Sequence, residues 1–222
     1  MARSLGWREI AFASGLTGIA GFVDGIAFVH FGGYFVSFMS GNSTRSSADF
    51  AQGNFAGWAL AMGLVASFVT GVAAATLASQ VASVQRRAAV LSTSSILLLA
   101  AAFFTLGNGV GTWVAVFMAM SMGAVNATYT RRGEVSVGLT YMTGALVKIG
   151  QHLATAITGG ARWAWLPYAA LWSMITLGSF IGALTYVNLG LMSLWIAAIA
   201  MVLWTLIAIY RDSPRRIFRV KN

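Results

Sequence analysis

Asp24 is an acidic residue enclosed by apolar sequence. Two runs concentrate the chain's other polar chemistry: Ser37-Phe38-Met39-Ser40-Gly41-Asn42-Ser43-Thr44-Arg45, and Thr140-Tyr141-Met142-Thr143-Gly144 continuing to Lys148. An ionisable group at hydrocarbon depth is costly and by default functional. A carboxyl there suits proton coupling; the competing role is a hydrogen bond that supports local structure. The two runs carry no complete phosphate loop, nucleophile elbow or zinc motif. They do supply Gly41 and Gly144 for backbone approach and the hydroxyls of Ser37, Ser40, Thr140 and Thr143. The amide of Asn42 joins them, with Arg45 and Lys148 close by in sequence. Free N–H groups at the start of a half-helix favour negative charge, and the two cations either add to that pull or mark the membrane boundary.

The runs are related. Phe38-Met39-Ser40-Gly41 returns as Tyr141-Met142-Thr143-Gly144, 103 residues later, with Ser37 answering Thr140 and Arg45 answering Lys148. Upstream, Gly21 and Asp24 answer Gly123 and Asn126 at an offset of 102, so one small indel reconciles the two registers. Duplication that keeps small and polar residues inside apolar sequence is how many transporters are built, with the site at the interface between repeats. Asn126 cannot ionise. The halves are therefore chemically unequal, as expected where one handles a proton and the other only binds. The expected substrate-binding set is Ser37, Ser40, Gly41, Asn42, Asn126, Thr140, Thr143 and Gly144.

These residues must be held by a chain of 222 residues that is 58% hydrophobic and only 9% charged, which excludes a soluble domain with its charged surface. The net charge of +9 sits at the flanks of apolar spans, where it reads as topology signal and lipid-headgroup contact rather than a nucleic-acid surface. The absence of cysteine excludes disulfides and thiol chemistry. His30 and His152 have no Asp, Glu or Cys partner at ligand spacing, so no metal and no cofactor is expected. The shortage of nucleophile and base pairs argues against an enzyme. Arg3 and Arg8 precede an apolar stretch that runs too long, without a cleavage site, for a cleaved signal. It reads as a first membrane helix.

About 20 apolar residues cross the ~30 Å hydrocarbon core, and six stretches fit: 10–31, 55–79, 88–106, 111–129, 165–187 and 190–210. The semi-polar stretches 34–53 and 135–160 hold the repeated phrase and are expected to be re-entrant or broken. With both termini cytoplasmic, one face receives 13 of the 14 Lys and Arg residues and the other only Arg45, a strong positive-inside bias. The expectation is an all-α polytopic membrane protein, a single membrane domain over 1–222. It comprises repeat 1 over 10–106, repeat 2 over 111–210 in the inverted sense, and a basic cytoplasmic tail over 211–222. Gly107-Asn108-Gly109 makes the turn between the halves. A seventh span through 135–160 is the second topology, since it would put the basic tail outside.

The chain resembles the YoaK-like family of bacterial inner-membrane proteins, a domain of unknown function. The resemblance rests on Gly21-Phe22-Val23-Asp24-Gly25, on Gly33-Tyr34-Phe35-Val36 running into Ser37 to Thr44, and on Met122-Gly123-Ala124-Val125-Asn126-Ala127 with Thr140 to Gly144. It covers about residues 10 to 210 and implies the architecture and an inner-membrane location, but no substrate.

The functional expectation is a secondary transporter of a small polar or anionic metabolite, proton-coupled through Asp24 and powered without nucleotide. The alternatives are a passive solute or anion channel and a structural or regulatory membrane protein. Membrane lipids and the substrate are the expected partners. Small-residue patches such as Gly178 and Gly182 serve a homodimer or internal packing equally well.

Overall fold

The computed structural model describes residues 6–82, 85–107, 111–131 and 134–212. Arg3, Asn108 and Gly109 of the expected turn, Arg132, and the tail from Arg215 to Lys221 lie outside the described residues. The chain is mostly helical: α1 (Trp7–His30), α2 (Met39–Ala51), α3 (Phe55–Val81), α4 (Arg86–Phe104), α5 (Thr112–Val125), α6 (Met142–Ile157), α7 (Leu166–Leu189) and α8 (Ser193–Arg211). A two-residue hairpin, β1 (Thr130–Arg131) with β2 (Glu134–Val135), interrupts the second half.

Four helical stretches among the described residues are long and apolar enough to cross a membrane: Trp7–His30, Phe55–Val81, Arg86–Phe104 and Leu166–Arg211. The last is 46 residues long, about twice what one crossing needs. It divides at Gly190, whose φ of 58° breaks the helix between α7 and α8. The two run in opposite directions: Tyr186 of α7 reaches His30 at the end of α1, whereas Arg211 of α8 reaches Glu9 at its start. The apolar helix Thr112–Thr128 is shorter.

Each semi-polar stretch becomes an irregular, non-helical segment followed by a short helix, α2 in the first half and α6 in the second. Met39–Ala51 is rich in Ser, Thr and Asn and has no apolar stripe to bury. Only Asn42, Ser46 and Asp49 are buried there, all polar.

Helix packing follows from the placement of glycine. α1 and α7 lie side by side and run parallel, because Gly18, Gly21 and Gly25 face Gly178 and Gly182. A Cβ on Gly21 would sit 2.1 Å from the Ile175 carbonyl oxygen, and one on Gly178 the same distance from that of Gly18. The pair α3 and α5 repeats the device, with Gly123 against the Phe68 carbonyl and Gly71 against that of Met120. Backbones this close exchange dispersion and weak C–H···O contacts that larger residues would forbid. Gly178 and Gly182 are thus spent on internal packing.

α1 and α5 form the centre of the core, with Leu16, Val23, Ile26, Met118 and Met122 fully buried. α3 buries the narrow stripe Gly57, Ala61, Leu64, Phe68, Gly71 and Ala75 and leaves Met62, Val69 and Leu77 exposed, as a helix facing lipid would. α4 is tied to α5 by Ser94 and Ser121, each hydroxyl reaching the other residue's carbonyl at 3.0 and 2.8 Å. Ser95 ties it to Thr205 of α8 at 2.8 Å.

Candidate functional site

α1 passes Asp24 without a break and ends at His30, so Asp24 does not support a broken helix of its own. It holds the chain that follows. Gly32 and Gly33, at φ 67° and 94°, reverse the direction of the backbone. The segment 34–38 then returns alongside α1. Oδ1 of Asp24 accepts the backbone N–H groups of Val36 and Ser37, both at 2.8 Å, and Oδ2 accepts the Ser37 hydroxyl. The carboxylate is 6% exposed, and among the described residues it has no ion-pair partner.

The second half repeats the arrangement with an amide. Asn126 closes α5 in a single 3-10 turn, and its Oδ1 accepts the Thr140 N–H and hydroxyl, each at 3.3 Å, while its Nδ2 donates to the Met122 carbonyl at 2.9 Å. The chemistry that relates the halves is therefore capping. Asp24 satisfies two backbone N–H groups, and Asn126 one, of a non-helical segment that precedes a short helix and has few backbone partners of its own.

Ser37 and Thr140 come together. Both line a cavity of 490 Å³ between α1 and α7, with Asp24, Phe28, Ser179 and Phe180 among its walls. Both also line an adjoining cavity of 390 Å³ bounded by Val65 and Phe68 of α3 and by Ser40, Thr143 and Gly144. The polar segments of the two halves thus share one junction, with α7 on one side of it and α3 on the other.

Other expected site residues are placed elsewhere. Asn42 turns inward to the Phe35 backbone, accepting its N–H at 2.9 Å and donating to its carbonyl at 2.6 Å. Asn126 is buried beneath Thr140. Gly41 lies in a separate surface cavity with Thr44 and Arg45. Arg45 is engaged there by structure: its guanidinium lies 4.3 Å from the Tyr34 ring centroid, donates to the Gly33 carbonyl at 3.3 Å and faces Asp49 at 3.8 Å. Lys148 donates to Gln151 at 3.1 Å and lines a third cavity with Tyr141 and Tyr168. Neither cation reaches the shared junction.

Sequence reasoning missed three features. Asp49 is buried and accepts from the Tyr34 hydroxyl at 2.7 Å and Asn54 Nδ2 at 3.0 Å, locking the start of the segment 34–38 to the end of α2. Phe28, Phe35 and Phe38 recur around the first polar run and form the aromatic wall of the larger cavity. Their spacing was visible; the contribution of Phe180, 142 residues beyond Phe38, was not. At the opposite end of α1, Glu9 receives Arg87 of α4 at 2.9 Å and Arg211 of α8 at 2.6 Å, and Asp212 lies 4.0 Å from Arg87.

A helical bundle with apolar outer surfaces and buried polar junctions is a multi-pass membrane protein. The chain belongs to the family described as "Protein of unknown function (DUF1275)", whose model matches residues 12–207, in keeping with the YoaK-like resemblance. It is similar to the UPF0700 transmembrane protein RA0705 of Rhizobium meliloti (strain 1021), at 35% identity over 207 residues, covering 93% of this chain and 88% of that protein. No solved structure matches.

Proposed function

We propose that this chain is a secondary transporter of a small polar solute in the bacterial cytoplasmic membrane. It is built as two inverted repeats of three spans with a re-entrant polar segment in each, and both termini are cytoplasmic. The observation that carries the reading is the junction: polar segments of opposite halves, each pinned by the equivalent Asp24 or Asn126, line the same cavities through Ser37 and Thr140. The paired glycine contacts support the repeat, since α1 with α7 in one arrangement matches α5 with α3 in the other. Non-helical backbone at membrane depth is tolerated where protein buries it or where it lines a water-filled cavity, and transporters place their sites at such breaks. Asp24, the carboxylate in the larger cavity, is the proton-coupling group. The anionic substrate class loses its support, because Arg45 and Lys148 are held outside the junction.

The test is uptake into proteoliposomes from a panel of labelled amines, amino acids, sugars and carboxylates, with and without a pH gradient. Saturable uptake by the wild type, reduced at least about tenfold in Ser37→Ala with Thr140→Val, is the expected result. No protein-dependent flux of any member would remove the reading. Saturation and counter-exchange mark a carrier, and non-saturating flux a channel.

A further inference from the structure

The larger cavity is lined by one carboxylate and four phenyl rings. Phe28, Phe35, Phe38 and Phe180 line it with Asp24. The ring centroids of Phe28 and Phe35 are 5.0 Å apart, and those of Phe35 and Phe38 5.2 Å, so three of the four form a continuous wall.

Asp24 is buried, and among the described residues it has no ion-pair partner. Its three hydrogen bonds use three of the roughly four acceptor positions of a carboxylate and leave one on Oδ2. Buried charges are normally paired or neutralised, and here the missing counter-charge has a space to occupy. Arg45 and Lys148 line other cavities.

The walls decide which cation fits. A bare Ca²⁺ or Mg²⁺ requires about six or more oxygen ligands. The hydroxyls here are few, and three are already engaged, Ser37 with Asp24, Thr140 with Asn126 and Thr176 with the Trp172 carbonyl. Phenyl rings instead attract a cation within about 6 Å of the ring centre, best when the charge is spread over alkyl groups that gain from leaving water. We propose that this cavity binds a small organic ammonium ion, with Asp24 as its counter-charge and Phe28, Phe35, Phe38 and Phe180 as its cage. The inference rests on the transport reading and names the solute class.

The experiment measures binding to the purified full-length protein in detergent, by thermal unfolding and by titration calorimetry. The probes are methylammonium, tetramethylammonium, tetraethylammonium and choline, with 3,3-dimethylbutan-1-ol as the uncharged isostere of choline and sodium chloride as the ionic control. At least one ammonium is expected to raise the unfolding midpoint and bind at least about tenfold more tightly than the alcohol. Phe180→Leu, at a ring that is 66% exposed and therefore dispensable for folding, is expected to weaken it about fivefold or more. Asp24→Asn, which keeps an acceptor for both backbone N–H groups, is expected to abolish it.

Binding of the alcohol as tightly as choline, full competition by sodium, an unchanged affinity in Phe180→Leu, or binding by no ammonium would each overturn the site. Flux separates this failure from that of the parent reading. Ammonium binding without any flux removes transport and leaves the site, whereas flux of a neutral or anionic solute without ammonium binding removes the site and leaves transport.

Discussion

Asp24 serves two ends with one carboxylate. Oδ1 is committed to the backbone of Val36 and Ser37, and Oδ2, with one donor, is the part that can meet a ligand. The two are separable by substitution. Asp24→Asn retains an oxygen for the N–H groups and is expected to purify as a folded, monodisperse protein, with its unfolding midpoint near wild type. Asp24→Ala strands three donors. An unsatisfied buried group costs about 1–3 kcal/mol, so fluorescence-detected gel filtration should show that variant aggregated or depleted. Equal behaviour of the two variants would mean that the carboxylate does not hold the segment.

The sequence singled out Asp24 because an acid in apolar surroundings is conspicuous at any register. It did not show which backbone groups the acid would meet, because that depends on the reversal at Gly32 and Gly33. Asn42 shows the opposite limit. An amide that can serve a ligand serves a peptide group equally well, and here both its ends are taken by Phe35.

Helices meet in this chain where glycines allow it. The added methyl of Gly21→Ala would lie 2.1 Å from the Ile175 carbonyl oxygen, and that of Gly123→Ala 2.0 Å from the Phe68 carbonyl oxygen. Each variant is expected to be destabilised by about 1–3 kcal/mol, the usual range for overpacking, read as a lower unfolding midpoint in detergent. Gly63→Ala and Gly150→Ala, whose added methyls meet nothing within 4 Å, are the controls. They should be neutral or gain up to about 1 kcal/mol of helix propensity.

Four apolar lengths and the glycine patches were legible along the chain, whereas the stretch 111–129 folds as a shorter helix. The partners of those patches were not, since the pattern at Gly178 and Gly182 fits a second copy as well as α1. The short helices were legible as interruptions, because runs of Ser, Thr and Asn cannot face lipid. The cationic ends of those runs suggested an anion; their place in sequence does not reveal the tertiary contacts of Arg45 with Tyr34 and Gly33.

Across the whole molecule, the end of the bundle that holds Glu9 joins the two halves. α1 and α4 from the first meet α8 from the second through Arg87 and Arg211. Glu9→Ala removes the carboxylate that Arg87 and Arg211 share, leaves Arg87 with Asp212 at 4.0 Å, and is expected to lower the unfolding midpoint, with part of the loss restored by Arg211→Ala. Additive losses in the double variant would mean that the cluster does not couple the halves. In the proposed orientation Arg86 lies toward the cytoplasmic end of the bundle and Ser47 of α2 toward the other. In intact cells a membrane-impermeant maleimide should therefore label Ser47→Cys and not Arg86→Cys, and the reverse pattern would invert the proposed orientation.

The central claim is that the two polar segments line a path that solutes enter from both sides of the membrane. The chain is naturally free of cysteine, so Ser40→Cys, at the edge of the cavity shared with Thr143 and Gly144, gives a single reporter. Its modification by a small, charged, membrane-impermeant methanethiosulfonate is measured in right-side-out and inside-out vesicles. Modification from each side is predicted, at rates that change when a bound ligand occupies the junction. Modification from one side alone, with none from the other under any condition, would contradict the account.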